Sequence, residues 1–582
     1  MQIYTNLSKD DIDTLVSRGC RAQNWDNIRV AEGFDPNMVS NCLFKGNVNL
    51  GRNVYIHNIG SYIANYTIED DAYIDNVSLM EVSGEGSFGN GVSAAVVNEG
   101  GGREVPLLDN LTAQSAYIMA MYRHREKTTE KLLSMAERYA RSRKGSMGII
   151  GKGAKISNSG IIRNARIGPG AVIEGATIMS NGSVNCTSDE PSFVGAGVKL
   201  YDFIIQTSCE IDGGSLLRRC FIGEGVKVCG LTGTDSLFFA NSHFENGEVC
   251  SIFAGPFTVS HHKSSLLIAG IFSFFNAGSG SNQSNHLFKT GPVHQGVHRR
   301  GCKFGSDAYV VLPARTGAYT IVLGRHKNHH DTENFPYSYL VEEEGKSWLV
   351  PGINLTNCGT VRDLVKWCNR DRRGAGRADI INFEEHNPFI TEKIIKAIEA
   401  SEALLAKDAD KYVLRGVRIR HSMLKRGLPW YIMARDKFIG AMLDSDPGTA
   451  PGTEEEYTGP WIDLAGMYLT KAAARKLLDG IDSGEVGSFQ EINEKLAGIS
   501  ERYTANARKW AMGVLAGEIG REPSDDEVEQ AIKKGAEAAA HLKKLTEQDR
   551  NKDRDSSMSV GYGIDSDDES EIMEDYRLVR GM

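Results

Sequence analysis

Aliphatic residues recur along the first half of the chain at a fixed interval. Ile150, Ile156, Ile161, Ile167, Ile173 and Ile178 form one block, in which Ile150 to Ile167, Ile156 to Ile173 and Ile161 to Ile178 are each 17 residues apart. Val194, Leu200, Ile205, Ile211, Leu216, Ile222 and Val228 repeat the figure, and Val194, Ile211 and Val228 again step by 17. An earlier block, Leu50 to Ile68 and Ile56 to Ile74, steps by 18. Self-similarity of this kind marks stacked repeats. Each period divides into three short strands separated by tight bends, which predicts a three-sided coil with its aliphatics inside.

The residues between the aliphatics support that geometry. Ile150-Gly151-Lys152-Gly153-Ala154-Lys155-Ile156, Ile167-Gly168-Pro169-Gly170-Ala171-Val172-Ile173 and Ile222-Gly223-Glu224-Gly225-Val226-Lys227-Val228 share one layout. Gly tolerates corner dihedrals that β-carbons resist, and each aliphatic stacks on its equivalent about 4.8 Å away. Cys209, Cys220, Cys229 and Cys250 are expected in interior or corner positions, since a free thiol packs as a small hydrophobe.

These blocks resemble the hexapeptide-repeat superfamily. The resemblance implies a mainly β solenoid, a left-handed parallel β-helix, which is an exception to the right-handed crossover rule. It also implies a homotrimer and a transferase of the acyltransferase kind. Nucleotidyl transfer is not expected, because the chain enters the repeat by about residue 43 with no Gly-rich nucleotide loop before it.

Other patterns divide the chain. Residues 1–40 read as an N-terminal cap, with a helix from Ser8 to Arg18 opened by a capping box. Residues 41–98 hold the first coils and 99–147 an inserted helical arm. Residues 148–358 return to the β-helix and become irregular after about Gly230, with Tyr309–Leu312 and Tyr319–Leu323 as last recognisable strands. Residues 359–546 read as an α-helical domain, with helices opening at Thr391, Ser488 and Ser524. Residues 547–582 are acidic and expected to lack fixed structure.

The net charge of −9 disfavours a nucleic-acid or anionic-membrane surface. The most apolar window, Leu266 to Phe275, is too short for a bilayer. The polar N-terminus lacks the apolar core of a signal peptide. Ten Cys without a C-x-x-C pair suit reduced thiols. A cytoplasmic protein is expected.

Chemistry concentrates in one region. Eight of 14 His fall between residues 261 and 330: His261, His262, His286, His294, His298, His326, His329 and His330. The same region breaks the repeat and carries the polar run Asn276 to His286. Departures from a strong pattern are where function is expected. In one reading a His is the general base of acyl transfer from coenzyme A, or a carrier protein, to a sugar- or nucleotide-linked acceptor. His286 is the first candidate, followed by His261 and His262. Asn276, Asn282, Gln283, Asn285, Lys289, His294, Arg299 and Arg300 are the candidate binding residues. No permanently bound cofactor is expected.

A second reading gives several His to a divalent metal. His294 and His298 have helical ligand spacing, but Gly291-Pro292 and Gly296 argue against a helix there, and no metal ligand is assigned. A third has the His capping turns or stacking on aromatics. Gly278-Ser279-Gly280-Ser281 suits a phosphate nest or a plain flexible loop, with Arg325 and Lys327 adding positive charge nearby.

Two basic segments stay open in the same way. The arm face (Arg123, His124, Arg125, Lys127, Lys131, Arg138, Arg141, Arg143, Lys144) suits either a polyanion or solvent. The Arg370–Arg377 loop suits either phosphate or internal salt bridges. A rival reading of the whole chain is a non-catalytic scaffold or sugar-nucleotide-binding protein, with the helical half as its partner-binding module.

Overall fold

In a computed structural model of the chain, all residues are described except Met1, Phe288, Lys289, Ala375, Gly581 and Met582, with Leu287, Arg554 and Ser556 described by backbone alone. Strands dominate from Tyr4 to Val350 and build large parallel sheets, and a helical region follows. Ile150 lies opposite Ile68 on one neighbouring parallel strand and opposite Ile167 on the other. A second ladder runs through Ile74, Ile156, Ile173, Val194, Ile211, Val228 and Phe244. It continues through Ser260, Ala277, Phe304, Val322 and Leu340. The ladder aliphatics Ile150, Ile156, Ile167, Ile173, Val194, Ile211 and Val228 are buried in one core.

Three expectations about the repeat need correction. On the strands Ile161–Ile167, Ile178–Val184 and Leu216–Ile222, the residues buried in the core are Ile162, Met179 and Leu217, one place after Ile161, Ile178 and Leu216. Both members of each pair are aliphatic, so hydrophobicity alone could not choose between two registers of opposite facing. Cys229 is exposed, beside inward-facing Val228, and is not an interior residue. Glycine also acts differently at its two positions in the layout. Gly170 has φ +71°, whereas at Gly168 an added Cβ would meet the Val184 carbonyl of the next strand at 2.7 Å.

Asparagine shares the corner work. Asn41, Asn58, Asn76 and Asn158 all have φ between 49° and 55°. Their amides form a column of hydrogen bonds of 2.8, 3.2 and 2.9 Å. Asn tolerates the left-handed region better than most residues, and here each side chain also satisfies the next.

Helix α1 (Lys9–Ser17) starts with its Ser8–Asp11 capping box formed. The arm holds α2 (Ala113–Met121) and α3 (Glu126–Arg143). Its basic face is divided: some cations meet protein partners, while His124, Lys127, Arg141 and Lys144 are exposed. Arg125 pairs with Asp479 and Asp482, Arg138 donates to the Gly487 carbonyl, and Arg143 pairs with Asp109.

Past the ladder, the hairpin Tyr339–Glu343 with Lys346–Val350 leads into the helical region. This comprises α4 (Cys358–Asn369), α5 (Pro388–Leu405), α6 (His421–Asp444), α7 (Glu454–Tyr457), α8 (Lys471–Ser483), α9 (Phe489–Glu501), α10 (Tyr503–Ile519), α11 (Asp525–Asn551) and α12 (Glu569–Arg580). Helix α5 begins at Pro388 under an Asn387 cap, not at Thr391. Two hairpins, Lys411–Leu414 with Val417–Arg420 and Trp461–Leu464 with Met467–Thr470, interrupt the helices. The acidic residues 547–582, expected to lack fixed structure, include α12, whose Tyr576 is buried.

The helical region is bound to the strands and the arm. Leu107, Ile118, Phe253, Leu464, Leu477 and Ile492 share one apolar cluster. Gln114 of α2 donates to the carbonyls of Ile380, Leu464 and Ala465 and accepts from the Ile380 N–H. Within the region α6 packs on α5, α10 and α11. Helices α6 and α11 cross where Gly440 meets Gly535, and a Cβ on Gly440 would come within 2.8 Å of the Gly535 Cα. Gly440→Val is therefore expected to destabilise the chain by about 1–3 kcal/mol, as overpacking does. An unchanged chemical-unfolding midpoint would count against this close crossing.

Candidate functional site

The irregular region begins where the second ladder skips from Ala277 to Phe304. The intervening chain forms a hairpin, His286–Leu287 with Gly291–Pro292, and the strand Gly296–His298. His286 is exposed on that hairpin, and His262 is exposed after the strand Val259–Ser260. Among the described residues, no hydrogen bond or ring contact joins His286 to His261 or His262. Lys289 lies outside the described residues.

The polar residues of this region mostly satisfy one another indoors. The Gln283 amide is oriented by the Ile268 N–H, which donates to its Oε1 at 3.0 Å. Its Nε2 then donates to Nε2 of His298 at 2.8 Å. That makes His298 Nδ1 the donor to Thr316 Oγ1 at 3.1 Å, and leaves the Thr316 hydroxyl to donate to His330 Nε2 at 3.1 Å. His298 also stacks on Phe272 and meets the edge of Phe304. Burial pushes the pKa of both His298 and His330 down to about 3, so both imidazoles are neutral at pH 7.

Asn285 donates to Glu99 at 2.8 Å and is buried. Arg299 is forked onto Glu333. Arg300, 1% exposed, donates to the carbonyls of Asn382 and Gly466 and lies 3.4 Å from Asp463. These side chains tie strands to loops and to the helical region. Asn276 is exposed, Asn282 is half-buried, and His294 lies 3.1 Å from the Thr290 hydroxyl.

Two open arrangements involve histidines of the region 261–330. The first is a cleft of about 420 Å³ beside Pro313 and Ala314, bounded by Gln295, Val297, Arg315, His329, His330, Asp331 and Arg415. Arg415 comes from the two-residue turn of the Lys411–Val417 hairpin, where Arg415 and Gly416 both have positive φ, as such tight turns require. A Cβ on Gly416 would meet the His329 carbonyl at 1.9 Å, so only glycine seats the turn there.

Arg315 and Arg415 converge on the single Asp331 carboxylate at 2.5 and 3.0 Å, and Arg315 also reaches Glu333 at 2.9 Å. Burial would raise the Glu333 pKa, but Arg299, Lys393 and Arg315 overcome it and hold the carboxyl at about 2. Arg315 and Arg415 face Asp331 and Glu333, with Arg299 and Lys393 behind Glu333 and the acids Asp463 and Glu392 in turn beside Arg299 and Lys393. The guanidiniums of Arg315 and Arg415 are about half exposed.

The second arrangement sits on the outer face of the second ladder. His243–Glu245 pairs with Lys227–Cys229 on one side and Val259–Ser260 on the other, which sets His261 beside Glu245 one strand along. His243 Nε2 is 3.0 Å from Glu245 Oε1, and the His243 and His261 rings lie 4.3 Å apart. One ligand atom from each of the three residues falls within 4.8 Å of the others. His243 and Glu245 were missed in the sequence. The signal was there, because Glu245 and His261 are 16 residues apart, the local step between neighbouring strands.

A third polar cluster holds the Arg370–Arg377 loop. Asp371 accepts from Asn241 and Arg373, and Glu224 accepts from the Ala378 N–H. Asp379 accepts from the N–H groups of Ala113 and Ala240. Burial, then Asp379, pushes the Glu224 pKa up to about 7.

Among the described residues no helix is long and apolar enough to cross a membrane.

Comparison with known proteins corrects the family expected from the repeat. Residues 4–53 and 47–405 match the family described as "Domain of unknown function (DUF4954)", and residues 449–582 match "Domain of unknown function (DUF6819)". The hexapeptide-repeat superfamily is not among the families matched. Periodic aliphatics and corner glycines report how strands stack, and unrelated sequences meet the same packing demand, so the spacing did not carry descent. A relative from Treponema pallidum (strain Nichols), described as an uncharacterized protein, is 25% identical over 601 residues, which cover 88% of this chain and 81% of its own length. The match from residue 4 to residue 405 spans more than half of the chain, which therefore belongs to the DUF4954 family.

Proposed function

We propose that this chain binds a small anionic molecule, bearing phosphate or carboxylate, in the cleft between Pro313 and Arg415. The observation that carries the reading is the convergence of Arg315 and Arg415, from segments 100 residues apart, on the single Asp331 carboxylate at the cleft wall. Guanidinium forks recognise planar oxyanions in two-point contact, and an incoming anion competes with Asp331 for groups already aimed into the opening. A volume of about 420 Å³ suits a sugar phosphate or one part of a nucleotide.

The frame we assign to this cleft is a stacked solenoid of parallel strands, supported by steps of 17 residues shared by two parallel ladders. The reaction we assign is acyl transfer from coenzyme A, or a carrier protein, to a sugar- or nucleotide-linked acceptor. His329 bounds the cleft, whereas His286 lies on an exposed hairpin, so His329 is the better-placed base.

A thermal-shift screen with inorganic phosphate, coenzyme A and sugar nucleotides tests the binding. A ligand at 100 times its Kd is expected to stabilise the fold by about 2.7 kcal/mol, and Arg415→Ala to abolish that shift. No shift with any of them, or an undiminished shift in Arg415→Ala, rejects the reading. Acyl transfer fails separately if a bound acceptor is never acylated from acetyl-coenzyme A.

A further inference from the structure

We propose that His243, Glu245 and His261 form a binding site for one divalent cation of the zinc class, separate from the cleft beside Arg415. Two imidazoles and one carboxylate are a common ligand set for zinc, with a further position left to water. The ladder supplies the positions: His243 and Glu245 are alternate residues of one strand, so both point outward. His261 follows Ser260 on the next strand, so its side chain stands on the same face. Strand backbones held in register on both sides make this a rigid platform.

Two further observations point to a cation. The Nε2 of His261 is buried and has no hydrogen-bond partner. A buried ring nitrogen left unpaired is uncommon, and the ring that carries this one lies 4.3 Å from the His243 ring. The second observation is the 3.0 Å contact between His243 Nε2 and Glu245 Oε1. A cation at that point replaces the bridging proton, which the ring carries on Nδ1 instead, so binding needs only a tautomer change.

The charged groups around the cluster are Arg372 beside His243, and His262 and Arg370 beside His261. Arg372 is itself engaged, donating to the Gly225 carbonyl.

The test uses untagged, full-length protein stripped with a chelator and titrated with Co²⁺ and then Zn²⁺. The expected result is about one equivalent bound, visible as d–d absorption that Zn²⁺ quenches. His261→Ala and Glu245→Gln are each expected to weaken binding at least roughly tenfold, since even outer-shell partners of a metal matter that much. His262→Ala, one residue away and exposed, retains wild-type affinity. Circular-dichroism melts show that the variants fold. Failure of the wild-type protein to bind either ion overturns the proposal, as does equal binding by His261→Ala and Glu245→Gln. Neither outcome touches the anion cleft, which shares no residue with this site.

Discussion

Alanine in place of Arg300 is expected to lower stability by about 3–5 kcal/mol, the range seen when one partner of a buried ion pair is removed. The guanidinium is 1% exposed and sits 4.2 Å from the Phe274 ring centre and 4.5 Å from that of Tyr468. It joins Phe274 of the strand region to Asp463 and Tyr468 of the helical region. Truncation strands the Asn382 and Gly466 carbonyls and leaves Asp463, 6% exposed, without its cation. Arg300→Lys is expected to recover only part of the loss, because one ammonium cannot reproduce two separate N–H contacts and a flat face between rings. Denaturant unfolding reads the difference. An Arg300→Ala midpoint within experimental scatter of wild type would show that Arg300 adds nothing to the hold between the two regions.

That lock was not legible from the chain. Arg300 appeared in the sequence as one of several cations beside a polar loop, and its partners lie 82 and 166 residues away. What was legible is what repeats. A 17-residue interval places Ile150 on Ile167 because every strand must satisfy the next, and any drift would turn the aliphatic set outward. Where two aliphatics are adjacent, as at Ile161-Ile162, the constraint disappears and the facing was misjudged. The same limit applied to chemistry. Gln283, His298 and His330 break the aliphatic pattern, and that break was read as a substrate site. They are interior groups that bond one another, which a sequence cannot distinguish from a site once the ladder interval stretches from Ala277 to Phe304. His261 was noticed for its composition, but its neighbours needed the register of the ladder.

The buried imidazoles predict acid lability with a definite sign. His298 and His330 are held down to about 3, and His326 and His386 to about 4, in each case by burial, against an ordinary value of 6.5. In the unfolded chain these four groups gain protons below about pH 6.5, while in the folded chain they stay neutral until pH falls to 4 or 3. Their contribution is thus fully present above 6.5 and is lost as pH falls.

Each group adds a slope of about 1.4 kcal/mol per pH unit over that window. His326 stays neutral against Ser347, the Leu323 carbonyl and nearby Glu342, and His386 against Glu385 and Lys437. Two carboxyls oppose the trend. Glu224, held up to about 7, and Asp379, raised by burial, keep protons that the unfolded chain has released, so their contribution favours the folded state at lower pH and is lost as pH rises.

Four groups outweigh two, so stability is expected to drop by an amount on the order of several kcal/mol between pH 6.5 and 4.5, and less steeply between 7 and 8, where Glu224 completes its titration. His298→Gln is expected to lower the melting temperature at pH 7, because it leaves Phe272 and Phe304 poorly packed, yet to reduce the acid slope by about 1.4 kcal/mol per pH unit. A wild-type melting temperature that stays flat from pH 7 to pH 5 would mean that these imidazoles are reached by water and protonate within the fold. The Gln283–His298–Thr316–His330 chain would then be a wet channel and not part of a dry core.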